Sequence, residues 1–352
     1  MDIKSLNKTE LETYLKQLGE PKFRAAQIFD WLHKKRVKTF DEMTNLPKSL
    51  IQKLQADCEL ITLEIERMQL SKHDGTRKYA FKLADGNIIE SVFMKYEHGN
   101  SVCISSQVGC RMGCKFCAST IDGLARNLTA SEMLEQIYEI DRDTGEHISN
   151  VVIMGSGEPL DNFDNAVKFI RLINDEAGYM MSQRNITLST CGLVPKIYEL
   201  ADEELSITLA ISLHAPNDEL RRQTMPIANK YSIEEILKAC DYYFEKTGRR
   251  ISFEYSVILG LNDGAETINQ LAHILKGKNA HVNLISVNPI KERSYKEVDA
   301  LSLTAIKNML EKSGINATIR RRLGEDIDSA CGQLRRRIKQ EGEAQLEVLR
   351  RQ

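Results

Sequence analysis

The sequence has few aromatic residues, no excess of charge and no long apolar run. Aromatic side chains make up 6% of the 352 residues, with a single tryptophan, so a large aromatic binding platform is not expected. The formal net charge is −2, so any nucleic-acid surface must be local. No stretch approaches the roughly 18 apolar residues that cross a bilayer, and the first ten residues lack the basic and apolar regions of a signal peptide. We therefore expect a protein of the reducing cytoplasm.

The chain is longer than one average domain and has the composition of a folded protein. At about 150 residues per domain, its length predicts roughly two domains, although a single α/β barrel also reaches this size. Hydrophobic residues make up 42% and charged residues 28%, which excludes wholesale disorder. The even number of cysteines does not indicate a disulfide framework, since that suits short secreted chains. In a reducing compartment, clustered cysteines indicate metal binding or catalysis. The eight are Cys58, Cys103, Cys110, Cys114, Cys117, Cys191, Cys240 and Cys331.

The N-terminal part of the chain combines helical and strand patterns. Apolar residues at helical spacing around Leu11 and Ile28, and Pro47 in the first turn of a further helix, predict a small helical bundle. Strand-like runs follow at 60–69, 78–83 and 87–95. We expect an accessory domain over residues 1–95.

From about residue 100 the sequence alternates between strand and helix patterns. Six candidate strands lie at 101–106, 150–154, 185–189, 206–213, 249–258 and 281–287. This alternation predicts a parallel sheet with right-handed crossovers. Six units are too few for a closed eight-stranded barrel, so we expect an α/β protein with a partial (β/α)6 barrel over residues 96–320. A C-terminal segment, 321–352, ends in a charged helix. In such folds the chemistry gathers at the carboxyl ends of the strands.

Three cysteines follow the first predicted barrel strand, in Cys110-Arg-Met-Gly-Cys114-Lys-Phe-Cys117. Thiolates spaced C-x3-C-x2-C on a loop can bind three corners of a 4Fe–4S cluster and leave the fourth iron open. A structural zinc site usually needs four ligands in two paired knuckles, and three incidental buried cysteines are the remaining alternative. The close spacing favours the cluster.

This loop resembles that of the radical S-adenosylmethionine superfamily, in which the open iron binds the amino and carboxylate groups of the cofactor. Phe116 matches the aromatic residue common before the last cysteine. Two further segments resemble the RlmN/Cfr family of radical S-adenosylmethionine RNA methyltransferases: Cys103-Ile-Ser-Ser-Gln-Val-Gly-Cys110 and Gly324-Glu-Asp-Ile-Asp-Ser-Ala-Cys331-Gly-Gln-Leu. The resemblance covers nearly the whole chain and implies a radical S-adenosylmethionine barrel.

The resemblance implies a methyl transfer in which two cysteines have different roles. The thiolate of Cys331 accepts a methyl group from one S-adenosylmethionine molecule, and a radical from a second removes hydrogen from that S-methyl group. The resulting carbon radical adds to adenine and Glu90 accepts the ring proton. Cys103 then resolves the adduct through a transient disulfide with Cys331. Without the resemblance, Glu90 would be interpreted as a solvated strand carboxylate. The remaining cysteines are expected to be packing residues: Cys58, Cys191 and Cys240.

The resemblance also assigns the residues that contact S-adenosylmethionine. They are Gly157, Glu158, Ser189, Ser212, Leu213, His214 and Asn288. Alone, His214 would be interpreted as a core histidine, and a Gly-rich turn is a weak signal. Two departures from the family pattern are small, because neither removes a ligand. The glycine motif has Ser156 where the family has methionine, and Gly113 replaces a bulkier residue.

Local basic clusters could bind RNA phosphates, although most charge runs are solvated faces. They lie at 34–36, 320–322 and 335–337. The resemblance implies that the N-terminal segment also binds RNA. Members of the family methylate C2 or C8 of the same 23S rRNA adenosine, and Glu158-Pro159-Leu160 resembles the C2 pattern. We expect C2 methylation of 23S rRNA and of tRNA, with Cfr-type C8 methylation, which confers antibiotic resistance, as the alternative.

A function of another class stays open, namely a non-catalytic RNA-binding protein with a structural metal site. Such a protein would not need Cys331. The enzyme hypothesis requires a 4Fe–4S cluster, two S-adenosylmethionine molecules per turnover and an external one-electron reductant. It also predicts a cytoplasmic monomer with no membrane association.

Overall fold

The computed structural model describes residues 1–97, 99–288, 294–328, 330 and 332–341. The strands in this part of the chain are β1 (Glu64–Leu70), β2 (Arg77–Lys82), β3 (Ile88–Tyr96), β4 (Gly99–Cys103), β5 (Gln107–Gly109), β6 (Leu124–Asn127), β7 (Asn150–Ile153), β8 (Ile186–Thr190), β9 (Thr208–Ser212), β10 (Ile251–Val257), β11 (Ala280–Ser286) and β12 (Asn316–Ile319). Ten of them form one sheet in the order β1-β2-β3-β4-β7-β8-β9-β10-β11-β12, and β5 pairs with β6.

The predicted parallel sheet is confirmed. The six candidate strands correspond to β4 and β7 to β11, and neighbouring members pair in parallel. A seventh parallel strand, β12, pairs with β11 and was not predicted. Only Ala317 of its four residues is buried, so its sequence lacks a clear apolar pattern. The α/β class and the partial barrel agree with the sequence-based prediction.

The three N-terminal strands belong to the same sheet as the barrel. β1, β2 and β3 form an antiparallel meander, and β3 pairs antiparallel with β4, the first barrel strand. The sequence predicted these strands but not their partner. The pairing of β3 with β4 brings residues of β3 next to Cys103 at the end of β4, since Val92 is directly opposite Cys103 in the register.

Three helices precede the sheet: α1 (Lys8–Gln17), α2 (Phe23–Phe29) and α3 (Lys48–Asp57). The helices between its strands are α4 (Ala130–Thr144), α5 (Phe163–Asn174), α6 (Val194–Asp202), α7 (Asp218–Thr224), α8 (Ile233–Thr247), α9 (Ala265–Leu275) and α10 (Ala300–Lys312), and a further helix at 333–341 follows β12. The start and end of α4 follow from its sequence. Thr129 and Glu132 form a capping box, and Gly145 ends the helix in the left-handed conformation. Within the described ranges, no helix is long and apolar enough to span a membrane.

A buried ion pair joins the N-terminal helices to the barrel. Lys4 Nζ lies 2.5 Å from Glu135 Oε1 on α4, and both side chains are fully buried. Arg142 pairs with the other oxygen of Glu135 at 2.9 Å. Burial lowers the pKa of Lys4. A buried charge is tolerated only when it is paired, so this contact fixes the N-terminal segment against α4.

Candidate active site

The loop that carries the three clustered cysteines starts with a close backbone approach. Gly109 has φ +79°, and a Cβ at this position would lie 2.0 Å from the carbonyl oxygen of Gly123. The N–H of Cys110 donates to the same carbonyl at 2.9 Å. At the other end of the loop, the Thr120 hydroxyl donates to the carbonyl of Cys117 at 2.9 Å. Hydrogen bonds to the residues that follow it, Thr120 and Gly123, therefore fix both ends of the loop.

The three thiols of this loop are close enough to influence one another's ionisation. Burial raises the pKa of Cys110 to about 12, and a charge on Cys117 acts in the same direction. Burial also raises the pKa of Cys114, and charges on Cys117 and Cys110 add to the effect. Buried thiolates that repel one another need a bound cation to ionise, and iron provides one.

The donor set fits a cluster better than a single ion. An iron–sulfur cluster spans more space than one ion and needs thiolates only at its corners. Cys110, Cys114 and Cys117 are therefore the residues that would hold a 4Fe–4S cluster.

A fourth sulfur lies beside this loop. Cys191, directly after β8, is buried and packs in one small cluster with Cys114 and Met225. The sequence predicted a packing residue, but no local motif places Cys191 next to the cysteine loop. Cys240 is buried on α8, and the thiol of Cys58 donates to the Tyr14 hydroxyl at 3.2 Å. No disulfide joins any two of the described cysteines.

Glu158 connects the ends of three strands. Its carboxylate accepts the N–H of Cys191 at 2.7 Å and that of Leu160 at 3.1 Å, and its own N–H donates to the side chain of Gln107 at 2.9 Å. Burial raises the pKa of Glu158. Glu158 therefore links the segments after β7 and β8 through its side chain, and its backbone N–H ties them to β5.

Gly157 is expected to tolerate no side chain. In Gly157→Ala the Cβ would lie 2.6 Å from Gln107 Cβ at a φ of +111°, so the substitution should lower the free energy of unfolding by about 3 kcal/mol. Gly145→Ala is the matched control, because Gly145 also has a positive φ, +66°, but nothing lies within 4 Å of its Cβ position. That change should cost about 1 kcal/mol. Urea unfolding measures both, and equal losses would contradict the steric explanation.

A cavity of about 210 Å³ lies at the carboxyl ends of the parallel strands. Its lining includes four of the predicted cofactor residues together with the last cysteine of the loop: Ser189, Ser212, His214, Asn288 and Cys117. Among the described residues, Gly157, Glu158 and Leu213 are not part of this lining. The strand-end residues thus meet beside the cysteine loop.

His214 is a wall of this cavity and not a solvated base. Its Nδ1 accepts the N–H of Ser256 at 2.8 Å, and its ring contacts Phe116 edge-on at 4.8 Å between centroids. Burial lowers the pKa of His214 to about 3, so the ring is neutral at neutral pH. His214 is therefore a buried histidine that also lines the cavity, and its contact with S-adenosylmethionine stays a prediction.

Sequence reasoning missed two polar residues of the same cavity, Glu254 and Ser256 on β10. Glu254 is buried and accepts hydrogen bonds from Asn283 at 2.9 Å and Ser252 at 3.2 Å. Burial raises its pKa, which Arg320 opposes. The strand pattern at 249–258 predicted burial but could not show which side faces the cavity.

A second cavity, of about 420 Å³, adjoins the first. Cys103 lies in its wall, and three consecutive arginines, 320–322, line it as well. The two cavities share the lining residues Ile285, Asn288, Arg320 and Ala330. Cys103 and four of the predicted cofactor residues therefore line two adjoining cavities.

Glu90 is buried, so its interpretation as a solvated carboxylate is wrong. Only 3% of Glu90 is exposed, and Lys78 Nζ lies 2.9 Å from its Oε2. The N–H of Gly332 donates to Oε2 at 2.5 Å, and the N–H of Arg335 donates to Oε1 at 2.6 Å. Periodicity on β3 could not reveal partners from a segment more than two hundred residues away. Cys331 itself lies outside the described residues.

A parallel sheet with a C-x3-C-x2-C loop and a polar cavity at its carboxyl edge defines a radical S-adenosylmethionine protein. Residues 104–272 match the Radical SAM superfamily, and residues 1–60 match the Ribosomal RNA large subunit methyltransferase N-terminal domain. A crystal structure of a radical SAM methyltransferase from Sphaerobacter thermophilus is similar, with a TM-score of 0.89 and 40% identity, over 95% of this chain and 98% of that one.

Two relatives show which family within this superfamily the chain belongs to. The chain is 64% identical over 334 residues to a protein of Lachnospira eligens, with 95% of each chain covered. It is 60% identical over 337 residues to one of Lachnoclostridium phytofermentans, covering 96% of this chain and 94% of the other. Both are described as "probable dual-specificity RNA methyltransferase RlmN". The chain therefore belongs to the RlmN family of radical S-adenosylmethionine RNA methyltransferases, which confirms the resemblance and does not favour the Cfr alternative.

Proposed function

We propose that the protein methylates C2 of an adenosine in 23S rRNA and in tRNA, with Cys331 as the methyl carrier. The observation that carries this proposal is the shared wall of the two cavities. One cavity holds the strand-end residues and Cys117, and the other holds Cys103. Family membership supplies the reaction class, and the adjoining cavities support the proposed roles of the predicted residues that line them.

The residues of the first cavity suit a bound S-adenosylmethionine. Ser189, Ser212 and Asn288 offer hydroxyl and amide groups, and the neutral ring of His214 closes one side. When bound next to the cluster, the cofactor supplies the carbon radical that removes hydrogen from an S-methyl group. The side chains of the lining would orient that chemistry.

Two residues outside the cofactor cavity would complete the transfer. Cys103 is buried at the end of β4 and would resolve the protein–RNA adduct by bonding to the sulfur of Cys331. Glu90 would accept the adenine ring proton. Lys78 and Gly332 donate to one of its oxygens and Arg335 donates to the other, so the carboxylate is held in place by three hydrogen bonds.

Arg320, Arg321 and Arg322 are the basic cluster best placed to bind RNA phosphate, since they line the cavity that contains Cys103. Ion pairs occupy residues of all three predicted clusters: Lys35 with Asp30, Arg36 with Asp141, Arg322 with Glu297, Arg335 with Asp122, and Arg337 with Asp328. An RNA-binding surface confined to this cluster is consistent with the net charge of −2. We propose that the enzyme acts as a cytoplasmic monomer and draws electrons from an external one-electron reductant.

Mass spectrometry of methylated RNA tests the proposal. After anaerobic reconstitution, rRNA and tRNA fragments should carry 2-methyladenosine. Finding 8-methyladenosine instead would overturn the assignment of the carbon. Cys331→Ala should give no methyl product, because it removes the carrier. If Cys331→Ala still methylates RNA, Cys331 is not the methyl carrier. If the wild type methylates no RNA and an RNA-dependent role survives in Cys331→Ala, the non-catalytic alternative is favoured.

A further inference from the structure

Lys78 is a buried cation on β2 that no part of the proposed reaction uses. Only 1% of the residue is exposed, although lysine is almost never fully buried. Its ammonium lies 2.9 Å from Oε2 of Glu90 on the neighbouring strand and donates to the carbonyl of Ala330 at 3.2 Å. The ion pair on β2 and β3 thus reaches the C-terminal segment.

Glu90 contacts the same segment on its other side. Its Oε2 accepts the N–H of Gly332, and its Oε1 accepts the N–H of Arg335 at the start of the helix at 333–341. A carboxylate at this position also caps the helix N-terminus, where free N–H groups and the helix dipole favour negative charge. Together, Lys78 and Glu90 bind the carbonyl before Cys331 and the amide after it.

The far side of Gly332 is closed by the cysteine loop. Gly332 has φ +76°, and a Cβ there would lie 3.0 Å from Ala118 Cβ. Ala118 directly follows Cys117, the last cysteine of the loop. The segment around Gly332 therefore lies between the ion pair and the loop predicted to hold the cluster.

We propose that Lys78 is a positioning residue for methyl transfer. It holds Glu90 and the backbone on both sides of Cys331 in fixed positions relative to each other. This inference rests on the proposed function, in which Cys331 carries the methyl group and Glu90 accepts the proton. A buried ion pair is weak evidence for stability, because replacing both charges by apolar residues of similar volume is often neutral. The hydrogen bonds from Lys78 and Glu90 to Ala330, Gly332 and Arg335 indicate that the pair positions this segment.

Lys78→Met removes the ammonium and keeps the length of the side chain. In the reconstituted holoenzyme, peptide-resolved alkylation with iodoacetamide should modify unmethylated Cys331 about tenfold faster than in the wild type, because the segment opens more often. Cleavage of S-adenosylmethionine should continue, with less methylated RNA formed per cofactor cleaved. Lys78→Arg, which restores the charge, should recover part of both properties. Lys82→Met is the control, since Lys82 is an exposed residue of the same strand.

The double variant Lys78→Met/Glu90→Met keeps the test decisive if Lys78→Met unfolds, since the apolar pair removes the unpaired buried charge. It should fold and show the same fast alkylation of Cys331. An unchanged alkylation rate in a folded variant would overturn the positioning role. Alkylation needs neither RNA nor product, so it reports on Lys78 even if Cys331→Ala shows that the proposed function is wrong.

Discussion

Cys114→Ala is expected to give a colourless protein that forms no methylated RNA. After anaerobic reconstitution the wild type should bind about four irons per chain, and the variant should bind far fewer. Cys114 is buried among the other sulfur and methionine side chains of the site, so no water or distant residue can replace its thiolate easily. Iron and sulfide content, visible absorbance and cofactor cleavage measure the effect.

Two matched controls separate a lost ligand from a lost buried sulfur. Cys240→Ala removes the same atoms from a buried position on α8. Cys191→Ala removes the sulfur that packs against Cys114 but is not a predicted ligand. Both variants should keep the full iron content. If Cys191→Ala loses iron as Cys114→Ala does, the predicted set of three ligands is wrong.

Cys103→Ala is expected to stop turnover and to accumulate a covalent protein–RNA complex. In the proposed reaction, the bond between Cys331 sulfur and the methylene carbon breaks as the S–S bond to Cys103 forms. Without the second thiol, the RNA stays attached through Cys331. Cys103 lies directly opposite Val92 in the sheet and in the wall of the larger cavity, so alanine should fit without a large change in fold.

A slow band on a denaturing gel, sensitive to ribonuclease, would show this complex. The double variant Cys103→Ala/Cys331→Ala is the control and should give no band, because it lacks the site of attachment. Normal product formation by Cys103→Ala would rule out its resolving role. Loss of product without any covalent complex would place Cys103 before the attachment step.

The sequence could predict which residues share a strand or a loop, but not which residues from distant parts of the chain they contact. The strands of the barrel and the cysteine loop could be predicted, because apolar runs and close cysteine spacing are local signals. The burial of Glu90 could not, since it depends on Lys78 from β2 and on amides from the C-terminal segment. The same holds for Cys191, which packs against Cys114 and is held by Glu158, a residue that follows a different strand.

The two edges of the long sheet have a consequence for self-association. In the described part of the chain the edge strands are β1 and β12, which leave backbone groups open to pairing with another chain. β12 is only four residues long, and β1 has charged residues at Glu64, Glu66 and Arg67 with a register irregularity near Ile65. Short, charged and irregular edges disfavour edge-to-edge aggregation. An open sheet of ten strands can thus remain unpaired at both ends without a second copy to cover it.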